Sequence, residues 1–94
     1  MTYELLFLPS AKKEWDKLDR DICNQFKKKL VERLENPEIF KDKLAGMVDC
    51  YKIKLRASGY RLVYRVVKQE IIVQVIAIGT RAKDQVYDTA KDRS

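Results

Sequence analysis

The chain has 94 residues, of which 46% are hydrophobic and 36% charged, with only three Gly and two Pro. This length leaves room for one hydrophobic core, so multidomain proteins and barrel enzymes are excluded, and we expect a single globular domain over residues 1–94. Twenty Lys and Arg against fourteen Asp and Glu give a net charge of +6, and residues 41–94 hold the whole excess. A neutral half joined to a basic half indicates one face built for an anionic partner, most often a nucleic acid.

The chain lacks the residue types and spacings that several common enzyme classes use. It contains no His, which removes the usual near-neutral acid or base and the commonest metal ligand. Cys23 and Cys50 have neither CxxC spacing nor His partners, so we expect two reduced thiols and neither a metal nor any other cofactor. No secretory leader is visible, and the longest apolar stretch, residues 71–79, falls far short of the roughly 20 residues that span a bilayer. We therefore expect a cytoplasmic protein without a membrane contact.

The first part of the chain predicts one strand followed by two helices. Residues 2–8 are rich in strand formers, and Ser10, directly after Pro9, is expected to cap the next helix. Residues 11–18 place apolar side chains at helical spacing, and residues 22–34 repeat them every four positions until an Asn-Pro pair ends the helix. The aromatic side chains that these stripes place in the core are Trp15 and Phe26.

In the second part of the chain the hydrophobic period changes to two. After a connecting loop at residues 38–49, residues 51–55 and 60–66 alternate apolar with mostly basic side chains and predict the two strands of a hairpin. Residues 71–79 are apolar on both faces, which is typical of an interior strand. The tail from Ala82 is helical in propensity, but its stripe of small residues is expected to dock weakly. The sequence thus predicts an α+β fold of order β-α-α-β-β-β-α, an antiparallel sheet with two helices on one face and a short C-terminal helix.

The predicted hairpin can be placed in register from its turn. If residues 57–58 form a two-residue loop, Lys54 lies directly opposite Arg61, and the apolar and Tyr side chains face the core from the other side of the sheet. Like charges directly opposed in a sheet are destabilising by up to about 1 kcal/mol, so a polyanion would relieve this face. The same count across the next turn places Gln74 on it, opposite Val63. The basic side chains that share this face, hereafter the basic face, are Lys52, Lys54, Arg56, Arg61 and Arg65.

The sequence leaves two interpretations of the basic face open. Alternating Lys and Arg is often the solvated side of a sheet, but solvated faces ordinarily mix signs and this one contains no acid, which favours a nucleic-acid partner. The Lys run at residues 27–29 has acidic neighbours on its helix, which favours a solvated face over an auxiliary phosphate contact. Arg81 and Tyr87 follow the last strand, where the chain can fold back over the sheet. From spacing alone, Tyr87 is equally consistent with a surface aromatic on a frayed helix.

Two segments stand out as whole motifs: KLAGMVDCYKIKLRASGYRLVYRVV at residues 43–67 and VIAIGTRAKDQVY at residues 75–87. With KEWDKL and KKKLVERLENP in the helical half, they make the chain similar over essentially its whole length to the RelE-like toxins of the bacterial RelE/ParE toxin–antitoxin superfamily. The resemblance implies an mRNA-cleaving toxin that works in the A site of the 70S ribosome. It also implies a labile RelB-like antitoxin, with operator DNA bound only through the toxin–antitoxin complex. The family's functional positions correspond to Lys52, Lys54, Arg61, Arg81 and Tyr87. The chain departs from the family at two positions: Ala45 stands where the family has a basic residue, and Lys83 stands where it has Arg.

Metal-free cleavage of RNA fits these residue types. Attack of the 2′-hydroxyl on the adjacent phosphorus requires a proton acceptor, neutralisation of the phosphorane charge and protonation of the leaving 5′ oxygen. Arg61 and Arg81 suit bidentate phosphate binding, whereas the base and the acid stay open among Lys52, Lys54 and Tyr87. Like charges around the two lysines are expected to disfavour their protonated forms, and such weak groups would depend on a ribosome that orients the message. Further nucleic-acid contacts are expected from Arg56, Arg65, Gln74 and Lys83.

Two rival functions use the same basic face. A non-catalytic RNA- or DNA-binding module would need the charge but would yield no cleavage products. A ParE-like inhibitor of DNA gyrase on the same fold would not need Lys52, Lys54 and Tyr87 together, and their joint presence argues against it.

Overall fold

The computed structural model describes residues 2–80 and 85–93 of the chain. These form a four-stranded sheet with helices in the predicted order β-α-α-β-β-β-α, which confirms the α+β fold. A short 3-10 turn lies in the connection between the helical and strand-rich halves. The elements are β1 (Glu4–Phe7), α1 (Pro9–Asp16), α2 (Arg20–Glu35), the 3-10 turn (Phe40–Asp42), β2 (Cys50–Leu55), β3 (Tyr60–Val67), β4 (Ile72–Thr80) and α3 (Gln85–Arg93).

The strands lie in the spatial order β1-β4-β3-β2. The β2–β3 and β3–β4 pairs are antiparallel as predicted, and β4 is the interior strand that its two-sided apolar pattern indicates. β1 pairs with β4 in parallel, from Glu4 beside Ile72 to Phe7 beside Val75, so the sheet is mixed at this edge. None of the helices in the described part of the chain combines the length and apolar character that a membrane span needs.

The two faces of the sheet carry separate hydrophobic clusters. α1 and α2 cover one face, where Phe26 and Leu30 are buried with Tyr64 and the other apolar side chains of the hairpin. Trp15 packs between aromatic rings of this cluster, with its centroid 5.2 Å from Phe7 and 6.4 Å from Phe26. α3 covers part of the opposite face, which is also the basic face. There Val86 and Ala90, two of the three residues in the small stripe of the tail, are buried in a cluster with Cys50, Val63, Ile76 and Ala77, and the third, Ala82, lies outside the described residues.

The start of α1 differs from the sequence prediction. The helix begins at Pro9 with Leu8 as its N-cap, so Ser10 lies inside the helix, and no side chain caps this end. Proline has a backbone angle preset for the first helical position and no N–H that needs a partner there, so the helix starts before the serine. The end of α2 at Glu35, before the Asn-Pro pair, is as predicted.

The predicted register is correct for one of the two hairpins and wrong for the other. In the β2–β3 hairpin the register is as predicted, with Lys54 opposite Arg61, although the connection is a four-residue turn over residues 56–59 rather than a two-residue loop. In the β3–β4 hairpin the predicted pairing of Gln74 with Val63 is wrong, because Gln74 lies opposite Arg65. The second turn also takes four residues, 68–71, since its Lys-Gln pair lacks the residues that favour the positive φ angles of a two-residue turn.

A β-bulge adds to the change of register on β4. Tyr64 pairs with Val75 and Val63 with Ala77, which leaves Ile76 as an extra residue. The bulge turns both Ile76 and Ala77 toward the cluster under α3. Gln74 still shares the face of Arg65, because paired residues project to the same side of a sheet.

Candidate active site

The distal half of the β2–β3 hairpin concentrates positive charge. Lys54 and Arg56 are exposed, while Lys52 and Arg61 are half-buried. A concave region of about 360 Å³ at the turn is lined by Lys54, Leu55, Arg56, Gly59, Tyr60 and Arg61. Because β2 is an edge strand of the sheet, its lysines lie where a long polyanion can approach from the side as well as over the face.

The charges in this region act on Lys54. The charge of Lys52 lowers the pKa of Lys54 below its ordinary value, and the charges of Arg61 and Arg56 act in the same direction. Each of these cations disfavours the protonated form of its neighbour. The surrounding charges therefore make Lys54 a better proton acceptor than an isolated exposed lysine would be.

Tyr87 reaches this region from α3. Arg61 donates a hydrogen bond from Nη1 to the Tyr87 hydroxyl oxygen at 2.8 Å, and the Arg61 guanidinium carbon lies 5.4 Å from the centre of the Tyr87 ring. Tyr87 is half-buried, so it is not a loose aromatic on a frayed helix. The pair places a phenol hydroxyl next to a guanidinium group that suits phosphate binding.

A residue that the sequence reasoning missed supports β2 from its outer side. Arg33 of α2 donates from Nη1 to the carbonyl oxygen of Lys52 at 3.3 Å and to the Tyr64 hydroxyl at 2.9 Å, and from Nη2 to Asp42 Oδ2 at 2.7 Å. The Tyr64 hydroxyl in turn donates to the carbonyl of Pro37 at 2.6 Å, and burial raises the pKa of Tyr64 to about 12. This Arg33 network joins α2 and the 3-10 turn to both strands of the hairpin, and it contacts β2 at the backbone of Lys52.

The sequence contained a signal for Arg33. It lies three residues after Leu30, so helical spacing places it beside the buried stripe of α2 and not on the solvated side. A charged residue at such a position needs a partner, and nothing in the local pattern points to Asp42.

The remaining candidates are not all brought together. Arg65 lines a separate concavity of about 650 Å³ with residues 46–49 and 66–69, away from the turn of the hairpin. Lys29 and Lys41 line a groove of about 600 Å³ that also contains Lys52 and Lys54, so one lysine of the run at residues 27–29 borders the basic face. Arg81 and Lys83 lie outside the described residues. Within residues 2–80 and 85–93, no three Cys, Asp or Glu side chains are grouped so that they could hold a metal ion.

Comparisons with known proteins give a consistent result. A family model described as the ParE toxin of type II toxin–antitoxin system, parDE, matches residues 5–85. The mRNA interferase toxin RelE of Escherichia coli (strain K12) is 54% identical over 93 residues, which cover 99% of this chain and 98% of that protein. A mutant of E. coli toxin RelE in the free state has a similar structure, with a TM-score of 0.92, 53% identity and coverage of 99% of this chain and 98% of that one. The toxin in the intact E. coli RelBE toxin–antitoxin complex matches with a TM-score of 0.82 and 56% identity, covering 83% of this chain and 95% of that one.

Proposed function

The chain belongs to the ParE/RelE family of type II toxin–antitoxin toxins, and from this premise we propose that it is a ribosome-dependent endoribonuclease that cleaves mRNA in the ribosomal A site. The observation that carries the proposal is the group formed by Lys52, Lys54, Arg61 and Tyr87 at one end of the sheet. The 54% identity to an mRNA interferase over nearly the whole chain supports it.

The proposed reaction is an internal transfer at phosphorus. The 2′-oxygen of one nucleotide forms a bond to the adjacent phosphorus while the bond from phosphorus to the 5′ oxygen of the next nucleotide breaks. The 2′-hydroxyl loses its proton to a base, and the leaving 5′ oxygen takes a proton from an acid. The products are a 2′,3′-cyclic phosphate and a free 5′-hydroxyl, and no other reactant is consumed.

Three residues of the group have a role that their surroundings support. Lys54 acts as the proton acceptor, because its neighbours favour its neutral form. Arg61 neutralises the charge that develops on the phosphorane oxygens, since a guanidinium group stays charged and binds phosphate in a bidentate manner. Tyr87, at hydrogen-bond distance from Arg61, either protonates the leaving oxygen or stacks on a base. Lys52 and Arg81 complete the proposed site, and Arg81 lies outside the described residues.

Dependence on the ribosome follows from the chemistry of these groups. Amines and a phenol are poor catalysts near neutral pH compared with His, so most of the rate must come from holding the 2′-oxygen in line with the scissile bond. A ribosome that fixes the message in the A site supplies this orientation. The side chains that we assign to binding the message and the ribosomal RNA are Arg56, Arg65, Gln74 and Lys83.

The proposed protein partner is a RelB-like antitoxin. The related E. coli toxin forms a RelBE complex, and this chain matches that toxin at 56% identity. We assign contact with operator DNA to such a complex rather than to the toxin alone, and we assign the chain to the cytoplasm, where ribosomes are found.

The test is primer extension on a message translated in vitro with and without the protein. We expect cuts at codons in the A site, no cuts in the same message without ribosomes, and loss of the cuts in Arg61→Ala. Arg20→Ala is the matched control, because Arg20 is exposed on α2 and has no role in the proposal.

Two outcomes would replace the proposal. Ribosome binding without any cleavage products would favour a non-catalytic RNA-binding module. The description of the matching family as ParE gives a specific reason to run a gyrase supercoiling assay in parallel. Inhibition of gyrase together with intact messages would favour the ParE-like function.

A further inference from the structure

The last turn of α3 is joined to α1 by a bidentate ion pair. Arg93 donates from Nη1 to Glu14 Oε1 at 2.9 Å and from Nη2 to Glu14 Oε2 at 3.3 Å. The same Nη1 donates to the carbonyl oxygen of Ile76 at 2.8 Å, and Glu14 Oε1 also accepts the backbone N–H of Ile78 at 3.1 Å. One pair of side chains thus connects α1, α3 and the backbone of β4.

This pair lies where β4 lacks a strand on one side. β1 ends at Phe7 beside Val75, whereas β4 continues to Thr80. The bulge at Ile76 lies just beyond this point and disturbs the pairing with β3 as well. Backbone groups inside a protein need hydrogen-bond partners, and Arg93 and Glu14 supply them to Ile76 and Ile78.

The rest of α3 has little area with which to hold its position. Its buried side chains in the described region are Val86 and Ala90, both small. The helix approaches β4 closely at Gly79, where an added Cβ atom would lie 3.4 Å from the Cβ of Val86. Close contact at one end and the Arg93–Glu14 pair at the other fix a helix of nine residues.

We propose that Arg93 and Glu14 are positioning residues that hold α3 on β4 and thereby keep the Tyr87 hydroxyl at Arg61. Arg93 lies six residues beyond Tyr87, about 9 Å along the helix axis, and its guanidinium group is bound to Glu14 and the Ile76 carbonyl, so we assign it no contact with the substrate. The effect of Arg93 on cleavage passes through Tyr87, and this part of the inference rests on the proposed function. The effect of Arg93 on the position of α3 is independent of the proposed function.

Hydrogen exchange of the free toxin tests the effect on α3 directly. Arg93→Met keeps most of the apolar stem and removes the guanidinium group. We expect amide exchange in residues 85–93 to become at least about tenfold faster, because these amides open with α3, while exchange in β3 stays unchanged. Arg93→Lys should recover part of the protection, since Lys keeps the charge but not the bidentate contact.

Arg20→Met is the matched control for the exchange experiment, because it removes the same charge from an exposed position. If Arg93→Met exchanges no faster in residues 85–93 than Arg20→Met, the proposal is wrong. Faster exchange throughout β3 and β4 would show a general loss of stability instead of release of α3, and would also overturn it.

Cleavage kinetics test whether Arg93 acts through Tyr87. We expect Arg93→Met to lower kcat about tenfold or more with the KM for ribosomes unchanged, and Arg93→Lys to restore part of the loss. In a Tyr87→Ala background, which removes both the hydroxyl and the ring, Arg93→Met should then cause less than about a twofold further loss. Losses that multiply would mean that Arg93 acts independently of Tyr87 and would refute the proposal. A wild-type chain that cuts no message would refute the proposed function, while the exchange experiment would still decide the role of Arg93.

Discussion

Replacing Arg33 by Met should remove the support of β2 and cost about 2–4 kcal/mol of unfolding free energy. The side chains of Arg33 and Asp42 are only 14% and 19% exposed, and their atoms approach to 2.7 Å. Breaking a buried ion pair by removing one partner costs about 3–5 kcal/mol, and the residual exposure here reduces that figure. The lost hydrogen bonds to Tyr64 and to the Lys52 carbonyl add about 0.5–1.5 kcal/mol each, partly offset by the apolar stem of Met.

Urea unfolding of Arg33→Met, Asp42→Asn and the double mutant measures this cost. The two single changes should be strongly non-additive, with a coupling of about 1–3 kcal/mol, because both residues belong to one network. For a domain of this size 1 kcal/mol corresponds to about 4–8 °C in Tm, so Arg33→Met should melt roughly 10 °C or more below the wild type. Arg20→Met, at an exposed position, should stay within about 0.5 kcal/mol of it.

Two results would refute this reasoning. A loss below about 1 kcal/mol for Arg33→Met would mean that the pair contributes no more than an exposed surface ion pair. Additive single changes would mean that Arg33 and Asp42 stabilise the fold separately. In either case the network could not be what holds the strand that carries Lys52.

Four further predictions concern the basic face and pH. Tyr87→Phe keeps the ring over Arg61 but removes the hydroxyl, so single-turnover cleavage should fall about 10²-fold or more, whereas an unchanged rate would leave Tyr87 only a stacking role. Arg61→Ala should lower the cleavage rate far more than ribosome affinity, because its charge acts mainly in the transition state, and equal losses would make it a docking residue. Replacing Lys52, Lys54 and Arg61 together by Ala should flatten the salt dependence of ribosome binding by roughly 0.7 in log-log slope for each lost phosphate contact, and an unchanged slope would contradict an electrostatic face. Relief of the repulsion between Lys54 and Arg61 should offset the loss of the Arg61–Tyr87 hydrogen bond, so the triple mutant should still fold. The pKa of Tyr64 is raised from 10.0 to about 12, so its contribution to stability is complete below pH 10 and is lost as the pH rises through about 12. Urea unfolding between pH 9 and pH 12 should show a steeper decline for the wild type than for Tyr64→Phe, and parallel declines would contradict this.

Local periodicity was enough to predict the elements and the first hairpin. The alternation around Lys54 and Arg61 fixes which side chains share a face, and a turn centred on residues 57–58 fixes the register whether it takes two residues or four. The second hairpin depends on turn length and on a bulge. Neither the turn length nor the bulge changes the alternation of apolar and polar residues. The predicted cross-strand partner of Gln74 was therefore wrong, although the predicted face of the sheet was right.

Tertiary partners could not be read from the sequence. The parallel pairing of β1 with β4 joins segments at opposite ends of the chain, and nothing in a short apolar strand names its partner. Helical spacing places Arg33 beside the buried stripe of α2, but nothing in the sequence identifies Asp42 as its partner or Glu14 as the partner of Arg93. Both arginines contact backbone carbonyl groups as well, at Lys52 and Ile76, and such contacts have no signature in residue type.

The apolar core on one face of the sheet stabilises the fold, and this allows the opposite face to carry unfavourable charge pairs. On the side covered by α1 and α2, Ile53 and Leu62 form a buried apolar pair directly opposed in the hairpin. On the other side Lys54 opposes Arg61, a like-charge pair that costs up to about 1 kcal/mol. Local rules of stability are most often broken at functional sites. A phosphate bound between these two cations would relieve repulsion that the folded protein already carries, so part of the affinity for RNA would come from the arrangement of the hairpin itself.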